Sequence, residues 1–294
     1  WLYVGGSGPG NYSRIQDAID NATAGDTVFV YDDSSPYYEN IVIDKKIRVI
    51  GEDKNSTVID ARNKHHVVEI CANHSSIEYF TLQNTSGRHA GIKIDLSNDV
   101  LVRNNIIRDC YEGIVYCGSF CEFSYNVIQI DTIGIESAYV ESSFTFIHHN
   151  IFQGTSMWET GLVLRKSKHC IIAYNVFKDS ELALMIWFSV RNRIYQNTFL
   201  NNKGGIFLQG SCFNVLSHNS FIGNDAHAYF ETPWLWPYYN RWVRNYWDDL
   251  GGFHVKRIPG TWFFSITPES ETYINKSNFD WFPAKEPYDI PVMG

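Results

Sequence analysis

The sequence predicts an all-β solenoid, a parallel β-helix of about ten coils, and three observations predict it. An asparagine recurs at Asn105, Asn126, Asn150, Asn175, Asn197, Asn219 and Asn245, with gaps of 21, 24, 25, 22, 22 and 26 residues. Related residues follow it: Asn105-Ile-Ile, Asn126-Val-Ile, Asn150-Ile-Phe, Asn175-Val-Phe, Asn197-Thr-Phe and Asn219-Ser-Phe. Upstream of most of them stands a Gly-apolar-x-apolar run, at Gly91-Ile-Lys-Ile, Gly113-Ile-Val-Tyr, Gly134-Ile-Glu-Ser, Gly161-Leu-Val-Leu and Gly205-Ile-Phe-Leu. A period this short holds roughly two or three brief strands, cannot bury its own apolar face and must stack on its neighbours.

The asparagines have a mechanical role. A coil turns sharply between two short strands, and Asn tolerates the left-handed backbone while its amide bonds to nearby backbone groups. On successive coils, roughly 4.8 Å apart, stacked amides also bond to one another.

Residues 1–294 read as one domain: an N-terminal cap with a short helix over 1–26, coils over 27–247, and a C-terminal cap and tail over 248–294. Ser13-Arg14-Ile15-Gln16 has the capping-box pattern, and Ile15, Ala18, Ile19 and Ala22 fall at helical spacing before Gly25. Such a helix can hide the apolar cross-section of a terminal coil. Short β-rich runs follow at 27–30, 40–43, 47–50 and 57–60. From Phe230 onward Trp234, Trp236, Tyr239, Trp242, Trp247, Trp262, Trp281 and Phe282 crowd the chain, and prolines break the strand rhythm. These aromatics either fill a cap interface or, with Trp234 and Trp236 foremost, offer platforms for sugar rings.

The formal charge is −8, with acidic residues scattered rather than in runs. That balance disfavours nucleic acid, an anionic membrane surface or an acidic polysaccharide as partner. No apolar run is long enough for a membrane span. The chain opens at Trp1 without an initiator Met or a signal peptide, as a mature or trimmed product would. Six sequons, at Asn11, Asn21, Asn55, Asn73, Asn84 and Asn275, suit an extracellular glycoprotein. Cys71, Cys110, Cys117, Cys121, Cys170 and Cys212 have neither metal-ligand spacing nor the density of a disulfide scaffold. Cys121 and Cys170 share a coil position two coils apart, too far for a disulfide. The thiols read as small apolar residues, with Cys117–Cys121 the one local pairing left to test.

Several segments carry a family likeness. The run from Asn11-Tyr-Ser-Arg-Ile-Gln-Asp-Ala-Ile through Gly25-Asp-Thr-Val-Phe-Val, then Tyr38-Glu-Asn-Ile-Val-Ile, Ile50-Gly-Glu-Asp-Lys-Asn-Ser-Thr-Val-Ile-Asp, the Asn repeats, Asn245-Tyr-Trp-Asp-Asp and Phe279-Asp-Trp-Phe-Pro-Ala resemble the NosD-like right-handed parallel β-helix proteins. The resemblance spans nearly the whole chain. It implies a pectin-lyase-like β-helix, export, and cell-surface or carbohydrate-related roles such as those common in methanogenic archaea. It also brings in copper delivery and sugar hydrolysis, the two activities for which the group is named. The shared motifs form and cap coils, so they speak for fold more than activity.

Glycoside hydrolysis needs two carboxyls across one groove. The outward positions after the glycine starts include Asp95, Glu136 and Arg165, and these three form the candidate acid and cation cluster. On the same face Val115, Val163, Met185, Trp187 and Phe207 make an outward apolar stripe, which the tail after Trp247, a neighbouring subunit or a glycan would cover. Copper delivery would want convergent Met and His. The chain has three Met, and the pairs His65-His66 and His148-His149 should point to opposite strand faces, so no metal and no cofactor is expected. The reading that follows is an exported, non-catalytic cell-surface β-helix. It would serve in a layer, sheath or fibre or bind glycan, and its partners would be other copies of itself or a cell-surface glycan. A polysaccharide lyase or glycoside hydrolase is the alternative, and periplasmic copper delivery a remoter one.

Overall fold

The computed structural model describes residues 1–138, 141–155, 159–233, 237, 239–251, 254–267 and 270–289. It is a parallel β-solenoid with three strands per coil and one short helix. Three ladders result. The glycine-start ladder climbs from Ile41–Ile43 through Glu112–Tyr116, Ile133–Ser137, Thr160–Arg165, Leu182–Trp187 and Gly204–Gln209 to Ala226–Pro233. A middle ladder runs from Leu2–Val4 and Thr27–Val30 to Arg241–Val243, and a third from Val58–Asp60 to Tyr246–Trp247.

Inward residues sit in register on every ladder. Ile92, Ile114, Ile135, Leu162, Leu184 and Ile206 pair in sequence along the glycine-start ladder, and all are fully buried. On the third ladder Phe152, Phe177, Phe199, Phe221 and Trp247 stack face to face with centroids 4.5, 5.1, 4.8 and 4.2 Å apart. Each such ring removes enough apolar surface to contribute about 1.5–3 kcal/mol, and ring-on-ring contact adds roughly 0.5–1.5 kcal/mol. The glycine starts are explained by close approach. A Cβ on Gly134 would lie 2.1 Å from the Gly161 carbonyl oxygen.

The seven asparagines form the predicted ladder. Each amide nitrogen from Asn105 to Asn219 donates to the Oδ1 of the next asparagine at 2.9–3.2 Å, and each backbone N–H donates to that same oxygen at 2.9–3.0 Å. The left-handed backbone, expected at the asparagines, belongs to the residues before them: Asn104, Tyr125, His149, Tyr174, Gln196, His218 and Arg244 all have φ between 52° and 58°. The asparagine supplies the bonds, and its predecessor absorbs the bend. The ladder ends on Asp280, fully buried, whose Oδ2 accepts from the backbone and amide nitrogens of Asn245 at 2.9 and 3.0 Å. Two shorter ladders repeat the device: Asn192–Asn214–Asn240 and Asn202–Asn224.

The helix is present over Ile15–Asn21, with Ile15, Ala18 and Ile19 in the continuous core. Its N-terminus is not closed by the expected capping box. Arg14 occupies the cap position without a side-chain bond, and the buried Glu39 carboxylate accepts the N–H groups of Ile15 and Gln16 at 2.8 and 3.1 Å. A carboxylate there also suits the positive end of the helix dipole.

All six cysteines are free, Cys117 and Cys121 included, and only Cys71 is exposed. Burial pushes the thiols of Cys110, Cys121 and Cys170 up to about 12, 11 and 11, so they stay protonated and pack as small apolar groups.

At the C-terminus Lys256–Thr267 pairs beside Ala226–Pro233 and returns antiparallel as Ser270–Asp280. Ala284 then bridges Tyr246, and Tyr288 bonds to Ser220 Oγ and to the Arg244 carbonyl. Replacing Asn150 with Ala strands two buried donors of Asn126 and removes the amide's own bonds to Phe123 and Asn175. The expected loss is about 3 kcal/mol of unfolding free energy, read as a lower urea midpoint. An unchanged midpoint would mean that the amide relay does not hold the coils together.

Candidate functional site

On the outer side of the glycine-start ladder, the pairing register arranges side chains in two rows. Lys93, Val115, Glu136, Val163, Met185, Phe207 and Tyr229 form the first. The second, two residues further along each strand, contains Arg165, Trp187, Gln209 and Glu231.

The sequence-predicted trio is split between coils. Glu136 and Arg165 come together: the Arg165 Nε donates to Glu136 Oε1, and both side chains are largely withdrawn from solvent. The guanidinium also lies over the Trp187 ring, 4.9 Å from its centroid, a cation–π placement. Asp95 is not part of this site. It stands in the second row, half exposed, 3.9 Å from Lys93, which is itself bonded to Glu69 at 2.9 Å. Glu112, not among the sequence candidates, does belong. Burial, with the neighbouring Glu136 charge adding to it, raises its carboxyl above the ordinary value.

Around the ion pair the outward apolar stripe is present. Val163 is 2% exposed, Met185, Trp187 and Phe207 are half-buried, and Phe207 stacks on Tyr229 at 4.2 Å. The described residues at the end of the tail are not seated on it. Residues 281–289 make their contacts at Ser220, Arg244 and Tyr246, on the third ladder's side. Trp234 and Trp236, the proposed platforms, lie outside the described residues.

The adjacent histidines do not point apart. His149 follows the strand at φ 54°, so alternation fails there, and its Nδ1 lies 2.8 Å from His148 Nδ1. His148 Nε2 faces Glu122 at 3.2 Å. His65 and His66, in the segment before Val68–Ile70, both pack edge-on against His89 at 5.2 and 4.8 Å. Among the described residues one set of three potential donors converges: His227, Asp248 and Asp249. The asparagine network argues against a metal there. Asn224 Oδ1 accepts from Asn202, so its amide nitrogen is a donor and faces His227 Nδ1 at 3.2 Å. That leaves the proton on Nε2, which donates to Asp248 at 2.8 Å, while Lys256 pairs with Asp249.

Of the sequons, Asn21, Asn55, Asn73 and Asn275 are exposed. Asn11 and Asn84 are half-buried, with amides bonded to the Gly5 carbonyl and to Asp60.

Three stacked ladders, turns closed by asparagine and one long outer face with a half-buried ion pair define a pectin-lyase-like parallel β-helix protein. The family described as periplasmic copper-binding protein (NosD) matches residues 19–252, and the chain belongs to it. Solved structures share the fold. The mannuronan C-5 epimerase AlgE6 A-module of Azotobacter vinelandii is 13% identical over 80% of this chain and 82% of its own, with a TM-score of 0.57. The GH136 lacto-N-biosidase of Eubacterium ramulus is 10% identical over 83% and 60%, with a TM-score of 0.65. The DFA-IIIase of Arthrobacter chlorophenolicus A6 is 10% identical over 83% and 81%, with a TM-score of 0.54. At these identities the likeness is one of fold. No curated protein matches the sequence. Among the described residues no helix is long and apolar enough to cross a membrane.

Copper, which the family description implies, does not fit the donors as they stand. The one convergent set is oxygen-rich with a protonated Nε2, and the imidazoles of His65, His66 and His89 do not bring their nitrogens together as a three-ligand set.

The histidines do predict a pH response. Burial is the first cause lowering the pKa of His66, His148, His149 and His227. The unfolded chain therefore takes up protons near pH 6.5 that the folded chain refuses. Stability is full above that pH and falls as pH drops through it. The thermal midpoint should fall between pH 7.5 and 5.5, by roughly 2–4 °C per kcal/mol lost, and fall less in a His148→Gln, His227→Gln double variant.

Proposed function

We propose that this protein is an exported, cell-surface β-helix that binds an extended glycan on the outer face of its glycine-start ladder and does not cleave it. One observation carries the reading: the Glu136–Arg165 ion pair, seated over Trp187 and flanked by Met185, Phe207 and Gln209. Amphipathic rings and a fixed charged pair beside them match a sugar's apolar face and its hydroxyl rim. The named activities of the solved neighbours, an epimerase of mannuronan and a lacto-N-biosidase, support saccharide as the ligand class. Binding without cleavage rests on the carboxylates. Glu136 is committed to the Arg165 ion pair and Asp95 belongs to the Lys93 cluster, so neither carboxylate the sequence singled out is free to serve as the base or nucleophile that hydrolysis requires.

The enzyme reading keeps one observation, the raised carboxyl of Glu112 beside Glu136, an arrangement that suits a general acid. Self-association through lateral faces remains the structural role this reading allows.

Screening the purified protein against a polysaccharide panel by affinity electrophoresis tests the proposal. Arg165→Ala and Trp187→Ala should each weaken retention by the bound polysaccharide roughly tenfold, the loss of one buried anchor. Release of reducing ends or unsaturated product, abolished by Glu112→Gln, would replace binding by catalysis.

A further inference from the structure

The formal charge of −8 averages over a surface that is not uniform. On the outer side of the middle ladder, the strands Arg193–Tyr195, Val215–Ser217 and Arg241–Val243, with the corner residues on either side of them, carry Arg191, Arg193, Arg241 and Arg244. No Asp or Glu lies among those strand and corner residues. All four arginines are exposed, and no carboxylate pairs with any of them among the described residues. Arg193 and Arg241 share one row through Val215, two coils apart, about 9.6 Å along the axis.

Aromatic rings interleave with these charges. Phe213 and Tyr239 occupy the corner beside Arg241 and are 51% and 64% exposed. Past the last coil, Phe279 and Trp281 stand 5.2 Å apart and Phe282 is 75% exposed. Arg241 and Tyr239 line two adjoining depressions, one of about 380 Å³ towards Phe213 and one of about 440 Å³ towards Phe279, Trp281 and Phe282. Exposed rings contiguous on this scale mark a binding surface rather than chance exposure. The volumes are those of sugar-sized sites.

We infer that this strip is a second binding site, for a uronate-bearing polysaccharide lying along the helix axis from Arg191 and Arg193 to Trp281. Guanidinium groups meet carboxylates in a bidentate fork, and the rings meet the apolar faces of the pyranoses between them. The spacing of the arginine row along the axis sets charges at intervals, as an extended polyanion needs. Single-stranded nucleic acid is also read by basic and aromatic surfaces, but the remaining surface is net acidic and the family is described as periplasmic, so the saccharide is the favoured polyanion. The acidic polysaccharide disfavoured by net charge is readmitted by the distribution of that charge. The inference does not depend on the glycine-start face, which lies on another side of the coil.

The test uses the whole protein in native affinity gels containing polygalacturonate, dextran sulfate, a neutral glucan or a single-stranded oligonucleotide. Polygalacturonate should retard the protein, and added salt should relieve the retardation. Arg193→Glu with Arg241→Glu should weaken it at least tenfold at an unchanged thermal midpoint. Arg108→Glu with Lys178→Glu, an equal change of charge on the third ladder, should leave it in place. Equal loss in both double variants, equal retardation by the neutral glucan, or stronger retardation by dextran sulfate or the oligonucleotide than by polygalacturonate would overturn the assignment.

Discussion

The bond from an asparagine amide to the carbonyl oxygen of the next asparagine is the constraint on which the rest of the structure depends. Each Oδ1 accepts two donors from the preceding coil, one from the main chain and one from the side chain. That pairing fixes the axial distance between coils and their rotational phase together. It also offsets a local cost, because each turn forces a residue such as Tyr125, His149 or Tyr174 into the left-handed region, where a side chain is disfavoured by roughly 1–2 kcal/mol. With phase fixed, inward residues stack into the isoleucine and phenylalanine columns, and outward residues fall into straight rows. The outer faces are therefore a direct product of the amide relay.

The part of this that is legible in the sequence is the part that repeats. Asn105 through Asn245, the glycine starts and the phenylalanines at Asn+2 all recur at one period and were readable as a solenoid. The shorter Asn192–Asn214–Asn240 ladder carried the same signal, at gaps of 22 and 26, but occupies too few coils to stand out. What does not repeat was misplaced for physical reasons. Asp95 lies two coils from Glu136 and pairs instead with Lys93 beside it, whereas Arg165, one coil on, reaches Glu136. The His148–His149 pair defeats alternation because the second residue sits at a corner. Glu39 closes the helix from across the fold, a partner that a local motif such as Ser13–Gln16 cannot reveal. Trp247 and Trp281 are the same residue in the same aromatic-rich stretch, yet one is buried in the stack and the other lies in solvent.

The three ladders also separate tasks. Inward positions are spent on packing, and corner positions on turning, while each outer face is free to vary without disturbing its neighbours. The glycine-start face holds a half-buried ion pair among rings, and the middle face holds unpaired arginines among rings. One fold can host different ligands, and the fold neighbours at 10–13% identity carry dissimilar names.

Asp280 gives the relay a grammar. An asparagine both receives and passes on a hydrogen bond, whereas a carboxylate only receives. The chain of amides thus has a direction, from Phe80 and Asn105 towards the C-terminus, and a stop mark that no further coil can read through. Whole coils can be duplicated or deleted upstream of that mark without a new terminus having to be invented. Length in such a protein is then a count of amide-bearing coils, closed by one change of letter from amide to acid.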